Sequence, residues 1–314
     1  MLNLNENAVK RERLFTLAVM FSLFRQAFQK LLQNDPLRMA GATAFFTSFA
    51  LPFILIILSR LLQLVYDVAE VRNQLHKTLA SVFGEVAVTQ VVDNLRAFRQ
   101  FALNGWVTII GILFLFLVST TLLMVIKASM NQLWNIKMIA GRSVVQGFSV
   151  RLQSVLIIVG TAILISLSIV AEGVKAYLDQ SIHHVLPSFA AFFTGALNYF
   201  FSVLFVTLWF GIIFRLLPDA RAPWKVAFTG AFLTSLLFNL GKYLLRILLV
   251  NSNLNTLYGT SASIVLVLLF VFYSSLILYF GVAFTRVWAK HIGATIKPMP
   301  YATHYKLLEI DENP

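Results

Sequence analysis

Three polar residues lie inside one of the most apolar stretches of this chain. Asn239, Lys242 and Arg246 fall within the run Val226–Val250, and their spacings of 3 and 4 residues place them on one face of a helix. Charge at membrane depth is expensive, so such a face is a functional hypothesis by default. An amide and two cations along one stripe have the chemistry to seat a phosphate or a carboxylate. On a helix running outward, Lys242 lies roughly 6 Å past the middle, at about 1.5 Å per residue. Two readings of Lys242 stand: a buried, partnered ammonium that holds an anion, or a side chain snorkelling to the outer headgroups. Arg246, one turn further out, fits snorkelling better. Tyr258, in the Asn/Ser/Thr-rich loop Asn251–Ser263, could add a hydroxyl at a cavity rim.

Other chemistries lack their residues. There is no cysteine, hence no disulfide and no thiolate ligand or nucleophile. His76, His183, His184, His291 and His304 form no HExxH spacing and have no acidic companions in a metal pattern. Gly241-Lys242 is followed by Tyr243, so it is no phosphate-binding loop, and no GxSxG occurs. The expectation is a chain that is not an enzyme and needs no cofactor. No apolar run has a clear central Asp or Glu, which argues against a proton-coupled carrier built on a buried carboxylate.

The elements that must position the α-face follow from composition. The chain has 314 residues, 59% hydrophobic and 12% charged, with 29 Phe and a net charge of +12. Soluble domains carry about 25% charged residues. With a mean hydropathy of +0.80, the composition excludes an ordinary soluble globule and a disordered chain. Six runs are long enough to cross a hydrocarbon core of about 30 Å: Ala40–Leu64, Gly105–Ile126, Val150–Val170, Phe192–Phe214, Val226–Val250 and Ser263–Val287. None alternates as barrel strands do. The expected fold is all-α and polytopic. A cytoplasmic arm (1–35) precedes a six-helix transmembrane domain (36–290), and a tail (291–314) follows. Residues 65–104 between the first two spans read as two amphipathic helices forming an outside cap. Lys and Arg concentrate in the arm, the second and fourth loops and the tail, which places both termini in the cytoplasm. Topology and anionic lipid account for the excess positive charge, without nucleic-acid binding. Homo-oligomerisation is left open.

Within that frame, a helix over about Arg13–Gln33 has Ser22, Arg25, Gln26, Gln29, Lys30 and Gln33 on one face and Phe21, Phe24, Phe28 and Leu31 on the other. It either lies in the membrane interface or packs on the bundle. Asp35 as cap and Pro36 at the first helical position start the first span. Pro52 should kink or break that span, with Thr43, Thr47 and Ser48 placed to bond the freed carbonyls. Such a break lines a cavity or is a passive kink. Gly230 and Gly241, with Ala227, Ala231 and Thr234, let a neighbouring helix approach closely.

Several segments, in order and spacing, resemble the YihY/BrkB family of bacterial inner-membrane proteins, once called ribonuclease BN. These are Asn34-Asp35 with Met39–Phe46 and Pro52; Met130-Asn131-Gln132-Leu133-Trp134; Leu217-Pro218-Asp219-Ala220; Trp224-Lys225 with Gly230-Ala231; Leu237–Tyr243; Asn251-Ser252-Asn253; and Tyr258-Gly259. The likeness runs from about Asn34 to Tyr301. The family usually carries Gly-Ala-Glu near the end of the last span, where this chain has Gly281-Val282-Ala283. If that Glu normally pairs with the fifth-span Lys, Lys242 lacks that partner here.

The resemblance implies a multi-pass bacterial inner-membrane protein of poorly defined activity, with some relatives linked to lipid or lipopolysaccharide-precursor handling and others to virulence-type resistance. The functional expectation is a transporter or flippase-like protein for an anionic lipid or amphiphile. The alternative is a non-transporting scaffold that binds partners through the outside cap and cytoplasmic arms. A ribonuclease has no metal cluster here and too little soluble chain.

Overall fold

A computed structural model describes residues 17–63, 105–139, 187–250 and 262–306, with isolated positions between 67 and 76 and between 157 and 171. The described residues are predominantly helical: α1 (Leu17–Leu32), α2 (Pro36–Leu62), α3 (Gly105–Trp134), α4 (Pro187–Leu216), α5 (Trp224–Val250) and α6 (Ala262–His291). Helices α2 to α6 have 27 to 30 residues, about 40–45 Å each at the α-helical rise. Among the described residues, Thr194–Leu216 and Val265–His291 are long and apolar enough to cross a membrane. Helical residues also occur within the predicted third span, between Ile157 and Ala171. Apart from isolated positions between 67 and 76, the outside cap lies outside the described residues, as does the loop bearing Tyr258.

Helix α6 is the central post. It packs against α1, α2, α3 and α5, and Tyr279, Val282, Ala283 and Phe284 are buried on it. Helices α2 and α5 begin, and α3, α4 and α6 end, at one end of the bundle, the base. Large apolar side chains face outward instead: Leu113 and Leu117 on α3, Phe200 and Leu204 on α4, Phe232, Leu240 and Leu244 on α5. Such an apolar exterior suits a lipid solvent.

Close approach of α5 and α6 rests on three glycines. A Cβ on Gly230 would stand 1.9 Å from Thr285 Oγ1, one on Gly281 1.8 Å from Thr234 Oγ1, and one on Gly241 0.8 Å from Tyr273 Oη. Each side chain therefore occupies the space its glycine leaves, as the small residues of α5 predicted.

Three expectations are revised. The α1 face is divided differently. Leu23, Ala27 and Leu31 are buried, and Phe24 packs at a tilt against Phe280 and Phe284 of α6. Phe21, 74% exposed, Phe28 and Leu32 form a separate bare apolar edge. Helix α1 packs on the bundle and also keeps an unburied edge. The second revision concerns Pro52, where α2 is not broken. The carbonyl a proline frees is the one four residues earlier, here Ser48. Thr43, Thr47 and Ser48 donate instead to the carbonyls of Met39, Thr43 and Phe45, their own preceding turns.

Third, residues 291–306 of the predicted tail fold onto the base. Strand β1 (Ile136–Met138) pairs antiparallel with β4 (Ala302–His304), and β2 (Ala220–Arg221) with β3 (Lys297–Pro298). Two- and three-residue strands have no periodicity to detect, so the sequence offered no signal for them. The first helix start is as expected: α2 begins at Pro36, and the Asp35 carbonyl accepts from the Met39 N–H at 3.2 Å. Asp35 itself adopts a φ of 52°, which Asp tolerates better than most residues. Its exposed carboxylate lies 3.6 Å from Arg38, a contact of little energetic weight.

Candidate functional site

The α5 face meets α4. Phe228 packs over Gly211, Ser235 shares a 2.8 Å hydrogen bond with Thr207, and Ser202 donates to Asn239 Oδ1 at 2.8 Å. Asn239 Nδ2 donates in turn to the Ser235 carbonyl at 2.9 Å. The amide keeps one proton and one lone pair for anything else, so Asn239 primarily ties α4 to α5. Lys242 and Arg246 continue the same face by helical phase; the Arg246 side chain is outside the described set.

Lys242 points down the helix. Its Nζ lies 5.5 Å from the centroid of the Phe238 ring, one turn nearer the base. That is within cation–π range and follows the tilt of helical side chains toward the N-terminus. Phe238 is held edge-to-face by Phe210 at 5.9 Å and Phe270 at 6.0 Å. The ammonium therefore lies over the ring one turn nearer the base. Ala283 has no part in it. Gly230 is level with Thr285 and Gly241 with Tyr273, so Ala283 lies about ten residues, roughly 15 Å, nearer the base than Lys242. A Glu at that position would not reach the ammonium.

A second polar cluster is buried in the base. Asp219, 0% exposed, lies in the turn after α4, and Lys127, 5% exposed, is in the last turns of α3; Lys127 Nζ is 2.6 Å from Asp219 Oδ1. Asn131, one turn after Lys127, donates to Asp219 Oδ2 at 2.7 Å and accepts from the Asp219 N–H at 2.9 Å. Tyr301 Oη donates to Asp219 Oδ1 at 3.0 Å, and the Asp219 carbonyl accepts from the Met299 N–H at 3.0 Å. One carboxylate thus joins α3, the α4–α5 connection and the C-terminal segment.

Beside it, the C-terminus of α3 is capped by cations. Asn135 takes the left-handed conformation, with φ 55°, common just past a helix end. Arg286 donates to the Trp134 carbonyl, Lys30 Nζ to Asn135 Oδ1 at 2.6 Å, and Trp134 Nε1 to the Val282 carbonyl at 3.0 Å. Burial, and then the nearby Arg286 guanidinium, pull the Lys30 ammonium below its ordinary pKa. Thr43 and Tyr279 complete the interior with a 2.5 Å hydroxyl contact. Among the described residues, no three His, Asp or Glu side chains converge to hold a metal ion.

The family model for virulence factor BrkB matches residues 27–304 of this chain. The chain belongs to the BrkB family. Among curated relatives, a UPF0761 membrane protein of Psychrobacter sp. (strain PRwf-1) is 25% identical over 271 residues, covering 83% of this chain and 47% of that protein. A UPF0761 membrane protein of Acinetobacter baylyi is 26% identical over 250 residues, covering 77% of this chain and 56% of that protein. This BrkB chain spans about half the length of the curated relatives it matches. No solved structure matches it. It is a membrane protein, in keeping with its apolar helices.

In this BrkB chain, three of the segments that carried the resemblance meet at the base. Asn131 and Trp134 come from one, Asp219 from another, and buried Asn34 from a third. Sequence reasoning treated Lys127 only as topological charge. The available signal was Asp219, an acid in a chain with 13 acidic residues, set between two apolar helices. Of the expected site residues, the structure places Asn239 at the α4–α5 seam and the Lys242 ammonium over Phe238, gives Gly230 and Gly241 packing roles against α6, and leaves Tyr258 outside the described residues.

Proposed function

We propose that this chain carries an anionic lipid or amphiphile between the leaflets of a bacterial inner membrane, with Lys242 as its anion contact. In this reading six helices span the bilayer, both termini are cytoplasmic, and the protein is a carrier and not an enzyme. Anionic membrane lipids are its principal partners, and movement is passive or ion-driven, since the chain has no ATP-binding motif. The observation that supports it is the Lys242 ammonium turned inward over Phe238, on the face where α4 meets α5 and beside lipid-facing Leu240 and Tyr243. A cation held against an aromatic face is available to a phosphate while staying out of bulk water. Asn239 positions the seam, and Arg246 adds field from the next turn.

The test is lipid translocation in liposomes loaded with a fluorescent phosphatidylglycerol analogue. Lys242→Met should abolish inward movement without changing the melting temperature, and Lys242→Arg should keep much of it. Unchanged movement in Lys242→Met removes the anion-contact role. A scaffold is the second reading, favoured by the base that the buried ion pair and two strand pairs tie together. Under that reading, deleting residues 70–100 ends function and Lys242→Met is harmless.

A further inference from the structure

The base carries a cationic group that neither the α5 face nor the buried ion pair uses. In the β2–β3 ladder, Arg221 stands directly opposite Lys297. Opposed residues of an antiparallel pair project to the same side with Cβ atoms about 4.5–5.5 Å apart, and like charges there repel. Arg221 reaches back to the Arg215 carbonyl at 3.3 Å. Arg215, in the last turn of α4, donates to the Ala222 carbonyl and lies 5.3 Å from the centroid of the Trp224 ring. Lys225 is exposed in the first turn of α5.

Four cations therefore gather where α4 turns into α5. Asp219 is two residues before Arg221, but it is fully buried and engaged by Lys127, Asn131 and Tyr301. Among the described residues, none of the four cations is ion-paired with a carboxylate. A ladder that sets two like charges face to face is stabilised by an anion between them.

The surroundings indicate which anion. Trp224 is 48% exposed and stacks on Phe228 at 5.4 Å and 21°. One turn further along α5, Phe232 is bare. Trp at a helix end, apolar on one side and polar on the other, marks the headgroup level. The site thus runs from cations, over an indole, onto an apolar helix surface, which matches a phosphate joined to acyl chains.

We propose that Arg221 and Lys297 bind the phosphate of an anionic membrane lipid, with Arg215 and Lys225 adding field and Trp224 flanking the headgroup. This goes beyond the carrier reading. The site is at the opposite end of α5 from Lys242, and either can fail without the other.

Native mass spectrometry of the full chain tests it, with phosphatidylglycerol, phosphatidylcholine and inorganic phosphate as probes. The wild type should retain phosphatidylglycerol in preference to phosphatidylcholine, and inorganic phosphate should not displace it. The double variant Arg221→Gln/Lys297→Gln should retain at least about ten-fold less, since each charge-assisted hydrogen bond is worth roughly a factor of ten. Arg221→Lys should keep most of the binding. If the double variant does not fold, the exposed Lys225→Gln variant should still show a partial loss. Undiminished phosphatidylglycerol in the folded variants, or its displacement by inorganic phosphate, overturns the assignment.

Discussion

Replacing Asp219 by Asn changes one atom and should unsettle the whole base. All three side chains that meet the Asp219 carboxylate approach it as donors: Lys127 and Tyr301 at Oδ1, Asn131 at Oδ2. An Asn offers a single oxygen, so its NH2 must face a donor whichever way it turns. It also leaves the Lys127 ammonium, 5% exposed, without a counter-charge. Breaking a buried pair by removing one partner costs about 3–5 kcal/mol. At roughly 2–4 °C per kcal/mol for chains of comparable size, the melting temperature should fall by about 6–20 °C. Intrinsic tryptophan fluorescence during thermal unfolding reads this, because Trp134 is fully buried beside the cluster. The double variant Lys127→Met/Asp219→Leu removes both charges and should recover most of the loss. A melting temperature within about 3 °C of wild type for Asp219→Asn, or single-variant losses that simply add in the double, would refute a buried, coupled pair.

Other expectations can be checked on the same preparation. Gly230→Ala forces a Cβ against Thr285 Oγ1 and should destabilise by about 1–3 kcal/mol, with Thr285→Ala in the same chain restoring much of it; no recovery would mean the α5–α6 crossing is misplaced. Lys30 has a pKa lowered from 10.5 by burial and then by Arg286. Between that lowered value and 10.5 the unfolded chain binds more protons, so through this group stability should rise with pH across the window. Lys30→Gln should flatten the rise, and an identical pH slope in both proteins would count against it. Tyr301→Phe removes one hydrogen bond to Asp219 and should cost about 1 kcal/mol, seen as a small fall in melting temperature; no fall would detach the C-terminal segment from the cluster.

What the sequence made legible was periodic or local. The small residues of α5 marked its close neighbour, and Pro36 marked the start of α2. What it hid was non-local. Lys127 and Asp219 are far apart in the chain, and nothing in the pattern around either names the other. Lys127 at a helix end looks like any topological charge until its partner is seen. The tail was hidden for a different reason, since a two-residue strand such as β3 is specified by its partner and not by its own side chains. On α1, a clean split into polar and apolar faces was misleading because the helix touches three environments: water, protein and a bare apolar edge.

The interlocked glycines of α5 and α6 have a mechanical consequence. Thr285 sits in the gap at Gly230, Thr234 in the gap at Gly281 and Tyr273 in the gap at Gly241, like pins entering from both sides of a joint. Sliding one helix along the other by a residue would drive each pin into backbone. The two helices are therefore a single rigid beam. Any rearrangement of the bundle has to carry that beam as one piece.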